Sequence, residues 1–268
     1  MNQLGIFVLS YNRPEFIRQA IDSILNQSFK NFDLIISDNS SNEQVQKVIA
    51  EYKHIPNVTL LRRWPSMDPI GHFNQIITEG KAYNHFMMFH DDDLMLPNCV
   101  EKMMNIFTSN QEIVAVCCNA FNKYSDNKVS TLFNPYYKND LRIENSKILI
   151  NRYLTKTLSH PPFPFYIYNT KKIGNSKMNS VLGGKHCDVS FLCQVADQGP
   201  LYWTAEPLGY YRRHANNDSN FISFADLISL SQFIFKRYKS FYFKMSFILL
   251  KRTVSYFIAL VRNFLIIR

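Results

Sequence analysis

The sequence predicts an α/β fold built on a mostly parallel sheet with helices on both faces. Three observations predict it. Short apolar runs suited to buried strands alternate with amphipathic helical patterns over residues 1–120. Polar clusters follow three of those runs, and ligands in such sheets bind beyond the carboxyl ends of the strands. The 268 residues are 46% hydrophobic and 19% charged, which is typical of a globular protein with a substantial core.

The first two strands and their helices follow from the spacing of apolar residues. Leu4–Tyr11 is an apolar run, as expected of a strand buried on both faces. Asn12 can cap the helix that follows, with Pro14 in its first turn. The apolar residues of that helix recur at the i, i+3, i+4 spacing of one buried face: Phe16, Ile17, Ala20, Ile21, Ile24 and Leu25. Phe32–Ser37 is a second strand, and a second helix runs from Glu43 to Tyr52.

Further strands and helices continue this alternation up to residue 118. They are a strand at Val58–Leu61, a helix from Asp68 to Gly80, a strand at His85–Phe89, a helix at Pro97–Thr108 and a strand at Ile113–Cys118. Beyond residue 123 the pattern is looser. The elements predicted there are a helix at Ser146–Leu158, a rigid aromatic loop at Pro161–Tyr166, in which prolines argue against a helix, a helix at Asp188–Ala196, and short strands at Leu201–Thr204 and Leu208–Arg212.

Three polar clusters, Ser10–Arg13, Asp38–Ser41 and His90–Asp93, fall at the carboxyl ends of predicted strands. The third is the most informative, because an apolar run ends abruptly in the three carboxylates of Asp91-Asp92-Asp93. Acidic side chains are almost never buried unless they are paired or bound to a cation. Carboxylate oxygens suit Mg²⁺ or Mn²⁺. The cluster therefore predicts a metal site, with a solvated acidic loop as the alternative.

Six short motifs in the correct order resemble those of the family 2 glycosyltransferases, which have the GT-A fold with its Rossmann-like sheet. They are Ser10-Tyr11-Asn12-Arg13-Pro14, Ser37-Asp38-Asn39-Ser40, Gly71-His72-Phe73-Asn74, Asp91-Asp92-Asp93 with Pro97, Gly183-Gly184 with Asp188, and Tyr211-Arg212-Arg213-His214 with Asn217 and Ser219. The resemblance covers roughly residues 4–220. It implies an inverting transfer of a sugar from a nucleotide-sugar donor, more often a UDP-sugar, assisted by Mn²⁺ or Mg²⁺.

The resemblance also implies roles for individual residues around the donor. Asp91, Asp93 and His214 would bind the metal, with Asp93 as the principal ligand. The alternatives are that Asp91 orients the ribose or a metal-bound water and that His214 contacts the diphosphate, and Asp92 could exchange roles with either aspartate. His90 departs from the commonest pattern, since many members of the family carry an acid there. Contacts to the nucleotide and its phosphates are expected from Ser10, Tyr11, Arg13, Asp38, Asn74, Asp91, Asp92, Arg212 and Arg213.

Several members of that set have a more specific expected role. Asp38 would accept a hydrogen bond from the base, and Tyr11 would pack against it. Arg212 or Arg213 would hold the leaving phosphates. Asp38 also has a plainer interpretation as a turn or helix-capping carboxylate, and Asn74 has one as a surface residue on its helix.

Asp188 is the candidate catalytic base. By resemblance it occupies the second position of the family's Glu-Asp motif, where Cys187 replaces the glutamate. Inversion by direct displacement needs a carboxylate that takes the proton from the acceptor hydroxyl. The alternative is that Asp188 only caps the helix it begins, and the two roles are compatible.

Residues 221–268 form a basic, aromatic tail. They carry 8 Lys and Arg residues and the single acid Asp226, whereas residues 1–220 carry 22 basic and 20 acidic residues. Most of the net charge of +9 therefore lies in the tail, which argues against a nucleic-acid-binding face on the body. No stretch of 18 residues in the tail is free of charge, so the pattern favours helices lying on an anionic membrane surface over a spanning helix. Packing on the body or on a second subunit is the alternative.

These features predict a catalytic domain at 1–220, with nucleotide-sugar binding in 1–120 and acceptor binding in 121–220, followed by the tail at 221–268. The expected acceptor is a lipid-linked or surface glycan, and the expected location is peripheral, on the cytoplasmic face of the cell membrane; a homo-oligomer stays open. Five cysteines without a CxxC pair fit a reducing compartment, and the first residues show no secretory signal. The alternatives are a nucleotidyltransferase, whose glycine-rich basic loop after the first strand is missing, and a membrane-bound nucleotide-binding scaffold without turnover.

Overall fold

The computed structural model describes residues 3–124, 131–155, 161–214, 223–251 and 253. Its amino-terminal half alternates strands with helices. The strands are β1 at Leu4–Ser10, β2 at Phe32–Asp38, β3 at Val58–Arg62 and β4 at His85–His90. The helices are α1 at Pro14–Leu25, α2 at Gln44–Ile49, which a 3₁₀ turn at Ala50–Tyr52 extends, and α3 at Pro69–Gly80.

The second half contains several shorter strands and further helices. The strands are β5 at Leu94–Met95, β6 at Ala115–Tyr124, β7 at Thr131–Leu132, β8 at Leu141–Ile143, β9 at Tyr166–Asn169 and β10 at Leu201–Arg213. The helices are α4 at Cys99–Ser109, α5 at Ser146–Tyr153, α6 at Cys187–Ala196 and α7 at Phe224–Arg237, with 3₁₀ turns at Phe163–Phe165, Gly184–His186 and Lys239–Phe241. Residues 242–251 are also helical.

The described strands form one mixed sheet in the order β3-β2-β1-β4-β9-β6-β10-β5, with β7 beside β6 and β8 beside β10. Strands β1 to β4 are parallel, β9 is antiparallel to both of its neighbours, and β6 and β10 are parallel to each other. The chain order reverses between β1 and β4, so the carboxyl ends of these strands form the topological switch point where ligands bind in open α/β sheets. The predicted α/β fold, a sheet flanked by helices, is confirmed.

Two predictions in the second half of the chain are wrong. Pro161–Tyr166 is not only a loop, because Phe163–Phe165 forms a 3₁₀ turn and the buried strand β9 begins directly after it. So short a turn tolerates a proline, since few of its N–H groups have an intrahelical acceptor. The two strands predicted at Leu201–Thr204 and Leu208–Arg212 are one strand, β10, with register shifts on either side of Pro207. Such irregularities are where a strand accommodates a proline.

Asn12 does not cap α1, contrary to the prediction. It has a φ of 55°, and its side-chain oxygen accepts hydrogen bonds from Ser41 N (3.1 Å) and Asn42 Nδ2 (3.1 Å). Arg13 occupies the cap position without a side-chain cap bond, and Pro14 starts the helix as expected. Asparagine enters the left-handed region more easily than most residues. Asn12 therefore joins the turn after β1 to the turn after β2.

The beginning of the predicted tail packs on the body of the protein. Helix α7 opens with a capping box in which Ser223 and Asp226 bond reciprocally. Its inner face, with Leu230, Phe233 and Ile234, is buried in the same core as the sheet. The alternative of a tail packed on the body therefore describes α7.

The helix at 242–251 has two different faces. Met245 on its inner face is fully buried. Phe243, Phe247 and Leu250 on its outer face have exposed fractions of 93%, 58% and 61%. None of the described helices combines the length and the hydropathy that a transmembrane span requires.

Gly209 on β10 lies against the backbone of β5. A Cβ atom at this position would stand 2.6 Å from the carbonyl oxygen of Leu94 and would also overlap the ring of Phe165. Because neither the backbone nor a buried ring can move aside cheaply, we expect Gly209→Ala to lower the free energy of unfolding by about 1–3 kcal/mol. Chemical denaturation measures this change.

Gly71→Ala, in the first turn of α3, is the matched control. The nearest atom to its new methyl group would be a carboxylate oxygen of Asp68 at 2.8 Å, and that flexible side chain can shift at the cost of weakening its cap bond to Gly71 N, which the better helix propensity of alanine offsets. The control should change the free energy of unfolding by about 1 kcal/mol or less. An equal loss in both variants would contradict the role given to the β5 backbone.

Candidate active site

The ends of β1 to β4 bring the predicted polar clusters to one edge of the sheet. Ser10 on β1 is the register partner of Asp38 on β2, and Leu9 is the partner of His90 on β4. Asp38 is in turn the partner of Arg62 on β3. Since neighbouring strands lie about 4.8 Å apart, these residues line a continuous edge. The three clusters converge as the sequence predicts.

Asp91 is fully buried and holds the turn after β1. Its Oδ2 atom accepts hydrogen bonds from Ser10 Oγ (2.8 Å) and Tyr11 N (3.0 Å), and its Oδ1 atom pairs with Arg13 Nη1 (3.1 Å). The same Nη1 lies 3.2 Å from Asp92 Oδ2, so one guanidinium pairs with two carboxylates. Both oxygens of Asp91 are therefore directed at donors of the chain.

Asp92 and Asp93 are tied to the end of β10. His214 Nε2 lies 2.9 Å from Asp92 Oδ2, and Arg212 Nε donates to the carbonyl oxygen of Asp92 (2.7 Å). The backbone N–H of Arg212 donates to Asp93 Oδ1 (2.9 Å), and the guanidinium carbon lies 4.5 Å from the ring centroid of Phe16. These contacts give Arg212 a positioning role at the acidic turn. This role differs from the predicted contact with the leaving phosphates.

One buried carboxylate oxygen of the turn has no hydrogen-bond partner among the described residues. It is Asp93 Oδ2, which is buried and lies 4.0 Å from His90 Nδ1. One ligand atom each from His90, Asp92 and Asp93 lies within 4.8 Å of the others. An anionic oxygen buried without a partner is costly, and two carboxylates with an imidazole fit a divalent cation such as Mn²⁺. This set differs from the predicted Asp91, Asp93 and His214, because Asp91 and His214 contact groups of the chain instead.

Burial governs the ionisation of the three acids. Burial, followed by the charge of Asp92, raises the pKa of Asp91 to about 7. The same two causes raise the pKa of Asp93 well above its usual range. The pKa of Asp92 is lowered, because His90 and other basic neighbours outweigh the effect of its burial. A cation placed among these groups would favour the ionised form of all three acids.

Asp188 is partly exposed in the first turn of α6, with its Oδ1 atom bonded to the next backbone N–H (2.8 Å). It is not the cap residue, since that position belongs to His186. Phe191, one turn further along α6, lies 6.3 Å from Phe163 between ring centroids, and Phe163 lies 6.3 Å from the ring of His90. Two aromatic rings thus connect the helix that carries Asp188 to the acidic turn.

Asp38 is fully buried, and both of its oxygens are bonded within the chain. Oδ1 accepts a hydrogen bond from Ser40 N (2.9 Å), while Oδ2 accepts one from Gln46 Nε2 (2.6 Å) and pairs with Arg62. The predicted hydrogen bond to a base would therefore compete with these partners. Tyr11, predicted to pack against the base, has an exposed fraction of 51%, which leaves its ring accessible.

Asn74 and Arg213 are committed to other parts of the chain. Asn74 Nδ2 donates to Met178 O (3.0 Å) and Asn74 Oδ1 accepts from Met178 N (2.9 Å), so this amide joins α3 to the segment before α6. Arg213 Nε donates to Asn122 Oδ1 (2.8 Å) on β6. These contacts give both residues a packing role and offer no support for a donor contact. Asn217 and Ser219 of the last motif lie outside the described residues.

A buried network behind β2 escaped the sequence-based prediction. Ser37 Oγ lies 2.7 Å from His72 Nε2 and accepts a hydrogen bond from Arg63 Nε (2.8 Å). The guanidinium of Arg63 also pairs with both oxygens of Glu79 (2.8 and 2.6 Å). Ser37 Oγ thus links the cation of Arg63 to the His72 ring. No apolar periodicity marks such a network in a sequence.

This network makes the stability of the protein sensitive to acid. Burial, with the charge of Arg63 second, lowers the pKa of His72 from 6.5 to about 4. Between these values the unfolded state binds more protons than the folded state, so stability is lost as the pH falls through this window. We expect His72→Gln to remove part of this loss, which is at most about 1.4 kcal/mol per pH unit.

Urea unfolding at a series of pH values from 4 to 7 measures this dependence. His54→Gln is the control, because His54 is an exposed histidine. A pH dependence in the His72 variant that equals that of the unaltered protein would contradict the assignment.

Comparisons with known proteins agree with this geometry. The family model described as "Glycosyl transferase family 2" matches residues 5–173. An uncharacterised glycosyltransferase of Methanocaldococcus jannaschii is 29% identical over 119 residues, which are 41% of this chain and 39% of that protein. The GalNAc(5)-diNAcBac-PP-undecaprenol beta-1,3-glucosyltransferase of Campylobacter jejuni is 30% identical over 95 residues, which are 35% of this chain and 30% of that protein. The match thus spans less than half the length of each of these relatives.

Solved structures of low sequence identity share the fold. S. aureus TarS in complex with UDP-GlcNAc superposes with a TM-score of 0.66 at 12% identity, covering 87% of this chain and 66% of that chain. The mannosyltransferase PcManGT of Pyrobaculum calidifontis, in complex with GDP-Man and Mn²⁺, gives a TM-score of 0.57 at 12% identity and covers 87% and 62%. The fold, the edge of polar clusters and a family model that matches more than half of the sequence agree: this chain belongs to glycosyl transferase family 2.

Proposed function

We propose that this protein transfers a sugar from a UDP-sugar donor to a glycan acceptor with inversion at the anomeric carbon. The observation that carries the proposal is the acidic turn Asp91–Asp93 at the switch point of the sheet, where Asp93 Oδ2 is buried without a hydrogen-bond partner among the described residues. A carboxylate site that holds a divalent cation is suited to a diphosphate. The nucleotide-sugars bound in TarS and PcManGT support the same class of donor.

The cation of this proposal, Mn²⁺ or Mg²⁺, is assigned to Asp93, Asp92 and His90. Asp93 is the principal ligand because one of its oxygens lacks a partner in the described part of the chain. A bound cation would neutralise the charge that grows on the diphosphate as the sugar leaves. His214 Nε2 holds Asp92 Oδ2, in the manner of partners that fix metal-binding carboxylates. Asp91 holds the turn after β1.

The other donor contacts divide into two groups. Tyr11 presents an accessible ring for the nucleoside. Ser10, Arg13 and Arg212 bond to the acidic turn, so they act on the donor by holding the carboxylates in place.

Asp188 is the proposed catalytic base. In a direct displacement, the acceptor oxygen attacks the anomeric carbon while the bond from that carbon to the diphosphate breaks, and Asp188 takes the proton of the acceptor hydroxyl. The link from α6 through Phe191 and Phe163 to the acidic turn supports this placement. The neighbouring Cys187 does not compete for the proton at neutral pH, because burial raises the pKa of its thiol to about 11.

We propose a lipid-linked or surface glycan as the acceptor and the cytoplasmic face of the cell membrane as the location. The C. jejuni relative is named for a glycan carried on PP-undecaprenol. In this chain, Phe243, Phe247 and Leu250 follow the i, i+4, i+7 spacing of one helix face and are exposed, and Lys251 Nζ lies 5.0 Å from the ring centroid of Phe247. Apolar side chains beside lysines fit the interface of an anionic membrane.

We expect Asp93→Asn and Asp188→Asn to lose activity for different reasons. Asp93→Asn removes a metal ligand, so the affinity for Mn²⁺ should fall at least about tenfold. Asp188→Asn should keep Mn²⁺ and UDP binding but lower kcat by a factor of about 10²–10⁴, because only proton transfer is lost. Calorimetric titration measures binding, and UDP release from UDP-glucose, UDP-galactose and UDP-N-acetylglucosamine with a panel of glycan acceptors measures turnover.

Glu144→Gln is the control for these two variants, since it removes an exposed carboxylate far from the acidic turn in sequence. EDTA should abolish turnover by the unaltered protein, and excess Mn²⁺ should restore it. Full turnover in EDTA or in either aspartate variant would contradict the mechanism. Tight UDP binding with no transfer across the panel would favour the scaffold without turnover.

The membrane proposal predicts that the exposed helix face carries lipid affinity. The triple change Phe243→Ser, Phe247→Ser and Leu250→Ser should lower partitioning into phosphatidylglycerol-containing vesicles more than tenfold, since each apolar side chain contributes about 1 kcal/mol or more. Flotation with these vesicles, at low and high salt, measures the effect. Tyr136→Ser is the control because Tyr136 is an equally exposed ring, at 62%, on another part of the surface. Equal flotation of the triple variant and the unaltered protein would refute the membrane role.

A further inference from the structure

Helix α5 contacts both ends of α6, the helix that carries Asp188. Ser146, the first residue of α5, donates a hydrogen bond from Oγ to Oδ1 of Asp197 (2.5 Å), the residue directly after α6. Tyr153, the last residue of α5, lies with its Oη atom 2.5 Å from Nδ1 of His186, the residue directly before α6. The two helices are therefore antiparallel, and these contacts lie about 10 Å apart along α5.

The α5 side of the Tyr153 contact is anchored in the core of the protein. Leu149 and Ile150 of α5 are fully buried. The side chain of Asn145 caps the helix by accepting hydrogen bonds from two backbone N–H groups of its first turn. Tyr153 lies one turn after Leu149, on the same side of the helix. The phenol therefore extends from a helix that packing and capping hold in place.

The α6 side of this contact is the turn that leads into the helix. His186 has an exposed fraction of 9% and is the last residue of the 3₁₀ turn Gly184–His186. Gly183 and Gly184, which lead into that turn, have φ angles of 113° and 60°. Glycine gives the backbone more freedom than any other residue, so a side-chain contact is needed to fix this segment. The His186 ring supplies it, packing edge-on against Tyr153 at 5.9 Å between ring centroids.

Asp188 depends on this placement because its neighbours in sequence are poorly suited to hold its side chain. Cys187 offers a weak thiol donor, and Val189 has an apolar side chain. Asp188 Oδ1 accepts a hydrogen bond from the backbone N–H of Val189 (2.8 Å), which orients the carboxylate relative to its own helix. The location of the first turn of α6 therefore determines where the carboxylate lies. Tyr153 is close to that carboxylate, since burial, followed by the charge of Asp188, raises the pKa of the phenol.

We propose that Tyr153 and His186 are positioning residues for Asp188, and that they act by holding the first turn of α6 against α5. The inference rests on the proposed function, in which Asp188 takes the proton of the acceptor hydroxyl. A general base must lie within hydrogen-bond reach of that proton, and a misplacement of about 1 Å can lower the rate by about 10²-fold. The pair acts through Asp188, so its loss should lower kcat and leave donor binding unchanged.

Tyr153→Phe keeps the ring and removes only the hydroxyl group. It should lower kcat about tenfold and leave the affinities for Mn²⁺ and UDP unchanged. Sugar transfer to the panel of glycan acceptors measures kcat, and calorimetric titration measures binding. Tyr202→Phe is the matched control, because it removes a phenol hydroxyl that donates to Asp140 Oδ2 (2.9 Å) near the beginning of β10. The control should keep the kcat of the unaltered protein.

Variants of His186 separate the hydrogen bond from the bulk of the ring. The side-chain amide of asparagine reaches about as far from the backbone as Nδ1 of histidine, so His186→Asn should keep kcat within a few-fold. His186→Ala should lower kcat at least as much as Tyr153→Phe. Adding Tyr153→Phe to His186→Ala should cause no further loss, because the two side chains form one contact. Equal losses in His186→Asn and His186→Ala would contradict the role given to the hydrogen bond.

The combination with Asp188→Asn distinguishes a positioning role from a merely structural one. Tyr153→Phe should lower kcat about tenfold in the unaltered protein and have no effect in Asp188→Asn, where the proton transfer that it supports is already lost. A tenfold loss in both backgrounds, or full kcat in Tyr153→Phe, would overturn this inference and leave the proposed function intact. If Asp188→Asn keeps full turnover, or if the unaltered protein transfers no sugar, the proposed function fails and this inference fails with it.

Discussion

Three consecutive buried carboxylates at the end of β4 impose the constraint that the surrounding chain satisfies. A carboxylate in a protein interior is costly unless it is bonded or paired. Arg13 comes to them from the turn after β1, and Arg212 and His214 come from the end of β10, so distant parts of the sequence converge on one turn. The first two carboxylates are satisfied by these groups. Asp93 keeps one buried oxygen without a partner in the described chain, and this imbalance marks the site.

The same constraint assigns charge stabilisation and proton transfer to different carboxylates. With the proposed cation bound, the carboxylates of the acidic turn would be engaged by the cation and by donors of the chain, and they would be poor proton acceptors for a substrate hydroxyl. Asp188 stands apart, on a helix that the rings of Phe191 and Phe163 connect to the turn. A carboxylate outside the cluster would feel a bound cation less strongly, so the cation would weaken it less as a base. Two distinct environments for carboxylates are what a displacement with a charged leaving group needs.

Local patterns in the sequence were sufficient for the alternation of strands and helices, because apolar spacing follows burial. They also located the acidic turn, since an apolar run that ends in three acids has few structural explanations. Such patterns do not predict which groups each side chain contacts. Asn74 bonds to the backbone of Met178, 104 positions later, and no local signal announces that contact. The pairing of Arg62 with Asp38 is also beyond local patterns. It follows from the register of β2 with β3, which becomes visible only in the folded sheet. The sequence does not predict strand β9, because the prolines that precede it dominate the local pattern.

Helix α7 is hydrogen-bonded to the segment that precedes Asp188, the proposed catalytic base. Asp226 Oδ1 accepts a hydrogen bond from Lys185 N (2.9 Å), three positions before Asp188, and lies where a side chain at Gly184 would begin. A chain cut at residue 220 would therefore lose the support of α6 together with any contact that the tail makes with lipid. If such a shortened protein were inactive, the cause could be the loss of membrane contact or the loss of structure around α6, and the experiment would not distinguish the two. A shortened protein that keeps α7 is more informative. It keeps the support of α6 and loses only the exposed surface of the rest of the tail.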